Sequence, residues 1–176
     1  MGLTGDWFKS FLGRLSNDGL DYRTYLAIDE KLPETVVECD GYIITGSPAS
    51  ATERTPWLLA MANFCIDAVK TKPVVRICFS LQLLPQALGG EDKTSDVGWG
   101  IGLHRYAITY PTDWMGPPTD ENAMLASHMD QVSAIPPGAV VLAESDFCCH
   151  AMLQLAPNCI TIRAHPKATL FCFGPI

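Results

Sequence analysis

The chain has 176 residues, 48% of them hydrophobic and 18% charged, enough for one domain of ordinary size with a sizeable core. A formal net charge of −7 and a pI near 4.9 argue against nucleic acid as a partner, because counterion release needs clustered Lys and Arg and here they are scattered. No apolar run reaches the length of a bilayer span, and the opening MGLTGDWFKSFLGRL places Asp6 early and lacks a signal peptide's apolar core, so the expectation is a cytoplasmic protein without a membrane partner.

In chain order, Trp7, Phe8, Phe11, Leu12 and Leu15 recur at helical intervals, predicting an amphipathic helix over 6–15 that ends at Ser16-Asn17-Asp18-Gly19. Residues 21–28 read as extended, and Asp40-Gly41-Tyr42-Ile43-Ile44-Thr45-Gly46-Ser47 reads as a buried parallel strand stopping at a glycine-containing turn. From Pro56 to Lys70 the apolar residues Trp57, Leu58, Met61, Phe64, Cys65 and Ala68 again have helical period, with proline at a tolerated first-turn position. Lys72-Pro73 breaks that helix. Val74 to Cys78 predicts a buried strand, and Leu81 to Leu88 a helix closed by Gly89-Gly90.

The second half reads as shorter strands over 98–110, 124–134, 139–144 and 159–164, with a short helix over 147–155 and Trp99 packed under a hairpin. Strands alternating with helices predict an α/β domain: a largely parallel central sheet flanked by helices, with an inserted antiparallel strand excursion. The seven cysteines are odd in number and lie mostly in apolar segments, which favours reduced thiols over a disulfide framework. No CxxC pair exists, and the adjacent Cys148, Cys149 and His150 have poor geometry for converging on one ion, so no metal is expected. Gly89-Gly90 lacks the Gly-Lys-Ser/Thr of a nucleotide loop, and no cofactor is implied.

Cys78 ends a buried strand that runs directly into a helix, so its side chain belongs at the C-terminal edge of the sheet. Helix-terminal N–H groups and the dipole there favour the thiolate, and the N–H of Phe79 can point at an oxyanion. The competing reading is that Cys78 is a small apolar core residue.

The segments DGYIITGSPAS, KPVVRICFSLQLLPQALGG, GWGIGLHRY, SHMDQVSAIPPGAVVLAESDFC and IRAHP, in that order, resemble the class I glutamine amidotransferase domain in its stand-alone form, similar to the amidotransferase part of GMP synthase. The likeness runs from about Asp6 to Lys167. It implies a flavodoxin-like fold and hydrolysis of the side-chain amide of glutamine, or of a related γ-glutamyl bond, through a cysteine thioester. On that resemblance Cys78 is the nucleophile and His165 the general base, with Gly46 and Phe79 as oxyanion donors. Gln82, Ser127, His128 and Asp130 fall on the segments that seat the substrate. A separate synthase subunit is the implied acceptor of any released ammonia.

Four motif positions depart from the family. Arg76, Ser80 and Leu81 stand at the two glycines and the histidine of its Gly-x-Cys-x-Gly-His-Gln elbow, and Lys167 stands where the triad carboxylate belongs. An ammonium near His165 disfavours the imidazolium and offers no acceptor for the ring N–H, so impaired activity is expected unless an acid such as Glu144 or Asp146 folds nearby. The chain also looks clipped at both ends relative to the family, and the loss of a central strand would leave unpaired edges that a second copy could fill, giving a homo-oligomer. Besides an impaired hydrolase, two readings stay open: an inactive relative binding a small molecule or partner, and a redox or stress-response thiol protein.

Overall fold

Helix α1 (Leu3–Leu15) opens the computed structural model, which describes residues 3–15, 19–46, 55–77, 85, 88–95 and 98–164. The stretch 19–41 carries only a short 3-10 turn, Ala27–Asp29, before strand β1 (Tyr42–Ile44). Then follow α2 (Pro56–Ala68), β2 (Val74–Ile77), β3 (Glu91–Thr94), β4 (Gly100–Ile108), β5 (Glu121–His128), β6 (Asp130–Ala134), β7 (Val140–Glu144), β8 (Met152–Ala156) and β9 (Cys159–Ile162). Among the described residues no helix is long and apolar enough to cross a membrane.

Seven strands form one mixed sheet in the order β1-β2-β9-β8-β7-β4-β5, and β3 and β6 form a separate antiparallel pair. Within the large sheet β1, β2 and β9 pair in parallel and the remaining neighbours pair antiparallel. Five strands (β1, β2, β9, β7 and β5) therefore point one way and two, β8 and β4, the other. The α/β class is as expected. The inserted antiparallel excursion is present as the β3–β6 pair, and β8 and β4 also run against the majority direction within the large sheet.

Helix α2 begins at Pro56, where a missing N–H costs nothing, and places Leu58, Met61, Cys65 and Ala68 on one buried face. That face meets Val74 of β2, Leu153 and Leu155 of β8, Cys159 of β9 and Val132 of β6 in one cluster. A second cluster joins Tyr106, Met124, Leu142, Ala143, Cys148, Ala151, Met152 and Ala164. At the amino end of the parallel block the register is pinned by polar bonds. Tyr42 N–H donates to Pro73 O (2.9 Å), Val74 N–H to Asn158 O (2.9 Å) and the Asn158 amide to Lys72 O (2.7 Å).

Three expectations are corrected. Residues 147–155 do not form a helix: Met152–Ala156 is strand β8, pairing with both β7 and β9, because the ladder on each side outweighs a short apolar run's helical spacing. The single strand expected over 124–134 is two, β5 and β6, in different sheets. Trp99 is exposed, as are Ile101 and Leu103, so alternate residues give the outer face of β4 an apolar stripe. The helix expected over 81–88 lies outside the described residues except for Pro85 and Leu88.

Gly100, at the start of β4, lies under the ring of Phe147; a Cβ there would sit 2.3 Å from Phe147 Cε1. The ring cannot retreat cheaply, since it meets His104 and His128 at centroid distances of 5.2 and 5.4 Å and its carbonyl accepts a bond from Gln131. Gly100→Ala is therefore expected to cost about 1–3 kcal/mol in denaturant unfolding. An unchanged midpoint would mean that Phe147 is not held there.

Candidate active site

Three strand ends define the site. β1 is in register with β2 through Ile44↔Arg76, and β2 with β9 through Ile77↔Ile162, so these parallel strands all finish at one edge of the sheet. Gly46 lies two residues beyond Ile44, Cys78 one beyond Ile77, and His165 three beyond Ile162. Neighbouring strands are about 4.8 Å apart, so the chain leaves the sheet toward Cys78 and toward His165 from adjacent points. Past Ile162, Arg163 N–H donates to Ala151 O (2.8 Å), which carries the β9–β8 ladder one residue further and fixes the departure of Ala164. Of the expected machinery, Cys78, Phe79, Gln82, His165 and Lys167 themselves lie outside the described residues.

The substrate-seating segment starts at the far side of the sheet. β5 is four strands from β9, about 19 Å along a flat sheet, and ends at His128 on the same edge as the parallel block. From there β6 turns back across the sheet, and its Val132 joins the cluster that holds Val74 and Cys159. His128 is buried with its ring tilted against Phe147, whereas Ser127, one residue earlier, faces the opposite side of β5. Asp130 accepts a hydrogen bond from the Thr94 hydroxyl (3.0 Å) across the β3–β6 pair. The Gln131 amide donates to Phe147 O (2.7 Å), and His150 Nδ1 lies 2.8 Å from Val132 O. Segments 128–132 and 147–150 are thus stapled together, with the His128 imidazole used for packing.

Acids reach the same edge on β7, which ends at Glu144 with Asp146 two residues on, both exposed and two strands from β9.

Against protein-family models the chain finds no match. Among curated proteins it is 27% identical over 173 residues to Gamma-glutamyl peptidase 3 of Arabidopsis thaliana, covering 93% of this chain and 69% of that protein. It is 30% identical over 135 residues to the glutamine-hydrolyzing GMP synthase of Nostoc, covering 72% of this chain and 23% of the synthase. The solved glutamine amidotransferase from Methylobacillus flagellatus superposes with a TM-score of 0.77 at 28% identity, over 92% of this chain and 64% of that one. The chain is a class I glutamine amidotransferase-like domain. It spans roughly two thirds of the length of the plant peptidase and of the Methylobacillus protein.

Two arginines of this amidotransferase-like domain, Arg76 and Arg163, are buried. Arg76 of β2, the residue at the family's first elbow glycine, is wholly buried. Its guanidinium has no hydrogen-bond partner among the described residues. Burial pushes its pKa down, opposed by weaker attraction to Cys65, Cys159 and Asp92. Arg163, just past β9 and two residues before His165, is also buried. Its charge acts on Tyr106, pushed up to about 12 chiefly by burial, and on the Cys148 thiol, raised by the same cause. Arg163 was not expected to matter; a lone cation inside the apolar run Cys159 to Ala164 was the signal for it.

Proposed function

We propose that this domain hydrolyses γ-glutamyl bonds, in glutamine or a γ-glutamyl amide or peptide, through a thioester on Cys78, at a reduced rate. The observation that carries this reading is the register that ends β1, β2 and β9 at one edge, from which Gly46, Cys78 and His165 all depart. In the proposed sequence the Cys78 thiolate attacks the γ-carbonyl carbon, and the oxyanion is met by the N–H groups of Gly46 and Phe79. His165, having taken the thiol proton, gives it to the leaving amine as the C–N bond breaks. Water, deprotonated by the same imidazole, then attacks the thioester and releases glutamate and the free thiol.

Lys167 supplies no acceptor for the imidazole N–H, which is the physical reason for a reduced rate. Similarity across most of the chain to a protein named as a γ-glutamyl peptidase supports γ-glutamyl peptides as the first substrates to try. If glutamine is the substrate instead, a separate synthase subunit would receive the ammonia. The test is glutamate release from glutamine and from γ-glutamyl dipeptides by the folded, purified chain. Turnover on either supports the reading. Its absence from both, with glutamate or a γ-glutamyl peptide still binding, favours a second reading, a small-molecule binding module, which the replacements Arg76, Leu81 and Lys167 motivate.

A further inference from the structure

Strand β6 belongs to the small pair, yet it lies against the strands whose ends define the site. Val132 packs with Val74 of β2 and Cys159 of β9. Asp92, opposite Val132 in the β3–β6 ladder, attracts the guanidinium of Arg76, which is one residue short of the end of β2. The segment 127–130, which leaves β5 four strands away, is thereby carried back to the parallel block. Alternation along β6 puts Asp130 on the same face as Val132 and Gln131 on the opposite one.

Gln131 and His150 tie this returning strand to the large sheet. The Gln131 amide donates to Phe147 O (2.7 Å), and His150 Nδ1 donates to Val132 O (2.8 Å). Residues 147 and 150 belong to the β7–β8 connection, both of whose strands are in the large sheet. That connection starts in a closed turn: Ser145 N–H donates to Cys148 O (2.9 Å), and Cys148 N–H donates to the carbonyl and the hydroxyl of Ser145 (both 3.1 Å). The Thr94 hydroxyl also bonds Asp130 (3.0 Å), and Ser95 N–H bonds Met129 O (3.1 Å), but these come from β3 and the residue after it, which pair with β6 and move with it. Of the two ties to the large sheet, Gln131 is the one next to Asp130, so its bond acts on the segment 127–130 most directly.

We propose that Gln131 is a positioning residue: its amide, docked on the Phe147 carbonyl, sets where Asp130 and the segment 127–130 stand, and so governs how tightly a γ-glutamyl ligand is held. The proposal rests on the reading that such a ligand is seated by this segment. The groups proposed to break the bond leave β2 and β9 instead, and Gln131 touches neither strand's end. Its loss therefore acts on binding and leaves the chemical step alone. A single neutral hydrogen bond of this kind is worth close to a factor of ten in an equilibrium constant.

Isothermal titration of the full chain with glutamine reads this without turnover, and glutamate release supplies kcat and KM. Gln131→Met, of similar size but without a donor, is expected to raise Kd and KM roughly tenfold, with kcat within about twofold and the thermal midpoint moved by no more than about 5 °C. Gln131→Lys, which restores a donor, is expected to recover most of the affinity. An unchanged Kd in Gln131→Met, a fall in kcat as large as the rise in KM, a loss that Gln131→Lys does not repair, or no glutamine binding by the natural chain would overturn the proposal. Glutamate release with a KM that Gln131→Met does not move would sink this inference and leave the hydrolase reading standing; binding weakened by Gln131→Met and repaired by Gln131→Lys, without any release, would do the reverse.

Discussion

Cys78→Ala is expected to lower the rate of γ-glutamyl hydrolysis by on the order of 10³ or more, with the circular dichroism spectrum unchanged. Removing a nucleophile deletes the covalent route altogether, and what then remains is binding and oxyanion stabilisation of a water attack. No other described cysteine is placed to substitute. Cys65, Cys148 and Cys159 are buried in apolar surroundings that raise their thiol pKa values, which keeps them in the unreactive protonated form near neutral pH. Cys149 is exposed and Cys39 half-buried, but Cys149 follows β7 rather than β2, and Cys39 precedes β1, at the opposite end of that strand from Gly46. A variant that retains most of its rate would therefore assign hydrolysis to a different group or to a contaminant.

Lys167→Glu should act in the opposite direction, raising kcat/KM roughly 10²-fold. In serine triads, loss of the orienting carboxylate costs about 10⁴ in turnover, and a thiol, which ionises more readily, depends on it less. Restoring an acceptor two residues after His165 also reverses the sign of the local charge, so that the imidazolium formed during attack is stabilised. The informative comparison is Lys167→Gln, which removes the ammonium without adding a carboxylate and should recover only part of the gain. If Lys167→Glu leaves the rate where it was, His165 takes its orientation from another acid. Glu144 and Asp146, at the end of β7 on the same sheet edge, are the residues to replace next.

The legible parts of the fold were those with strong apolar periodicity. Helix α2 and strands β1, β2 and β9 lie where the sequence places them; α2, β2 and β9 bury most of one face and their pattern follows from that burial, whereas β1, expected to be buried, is an edge strand with Tyr42 and Ile44 half-buried and Ile43 exposed. Strand β3 was invisible: Glu91-Asp92-Lys93-Thr94 carries no apolar residue and exists because β6 pairs with it. The break between β5 and β6 falls at Met129, with neither glycine nor proline to announce it. β8 was misread because Ala151, Met152, Leu153 and Leu155 form a short apolar run that either a helix or a two-sided buried strand can accommodate, and only pairing decides between them.

For the site, the individual positions came from motif resemblance, while strand order is a tertiary fact that no local pattern encodes. That β9, more than 80 residues after β2, should lie directly beside it was implied by the family likeness and is shown by the register Ile77↔Ile162. Arg76 was recognisable as an intruder at a glycine position, but its complete burial against α2 and β3 needed the packing.

The most direct measurement is covalent labelling by a diazo-ketone analogue of glutamine, mapped by peptide mass and timed in the natural chain and in His165→Ala. One label per chain, confined to Cys78, slowed by competing γ-glutamyl ligand and slowed roughly tenfold or more without the imidazole, is the predicted result. Label spread over Cys149 and Cys39, or a Cys78 that reacts equally fast in His165→Ala, would contradict the pairing of these two groups at one sheet edge.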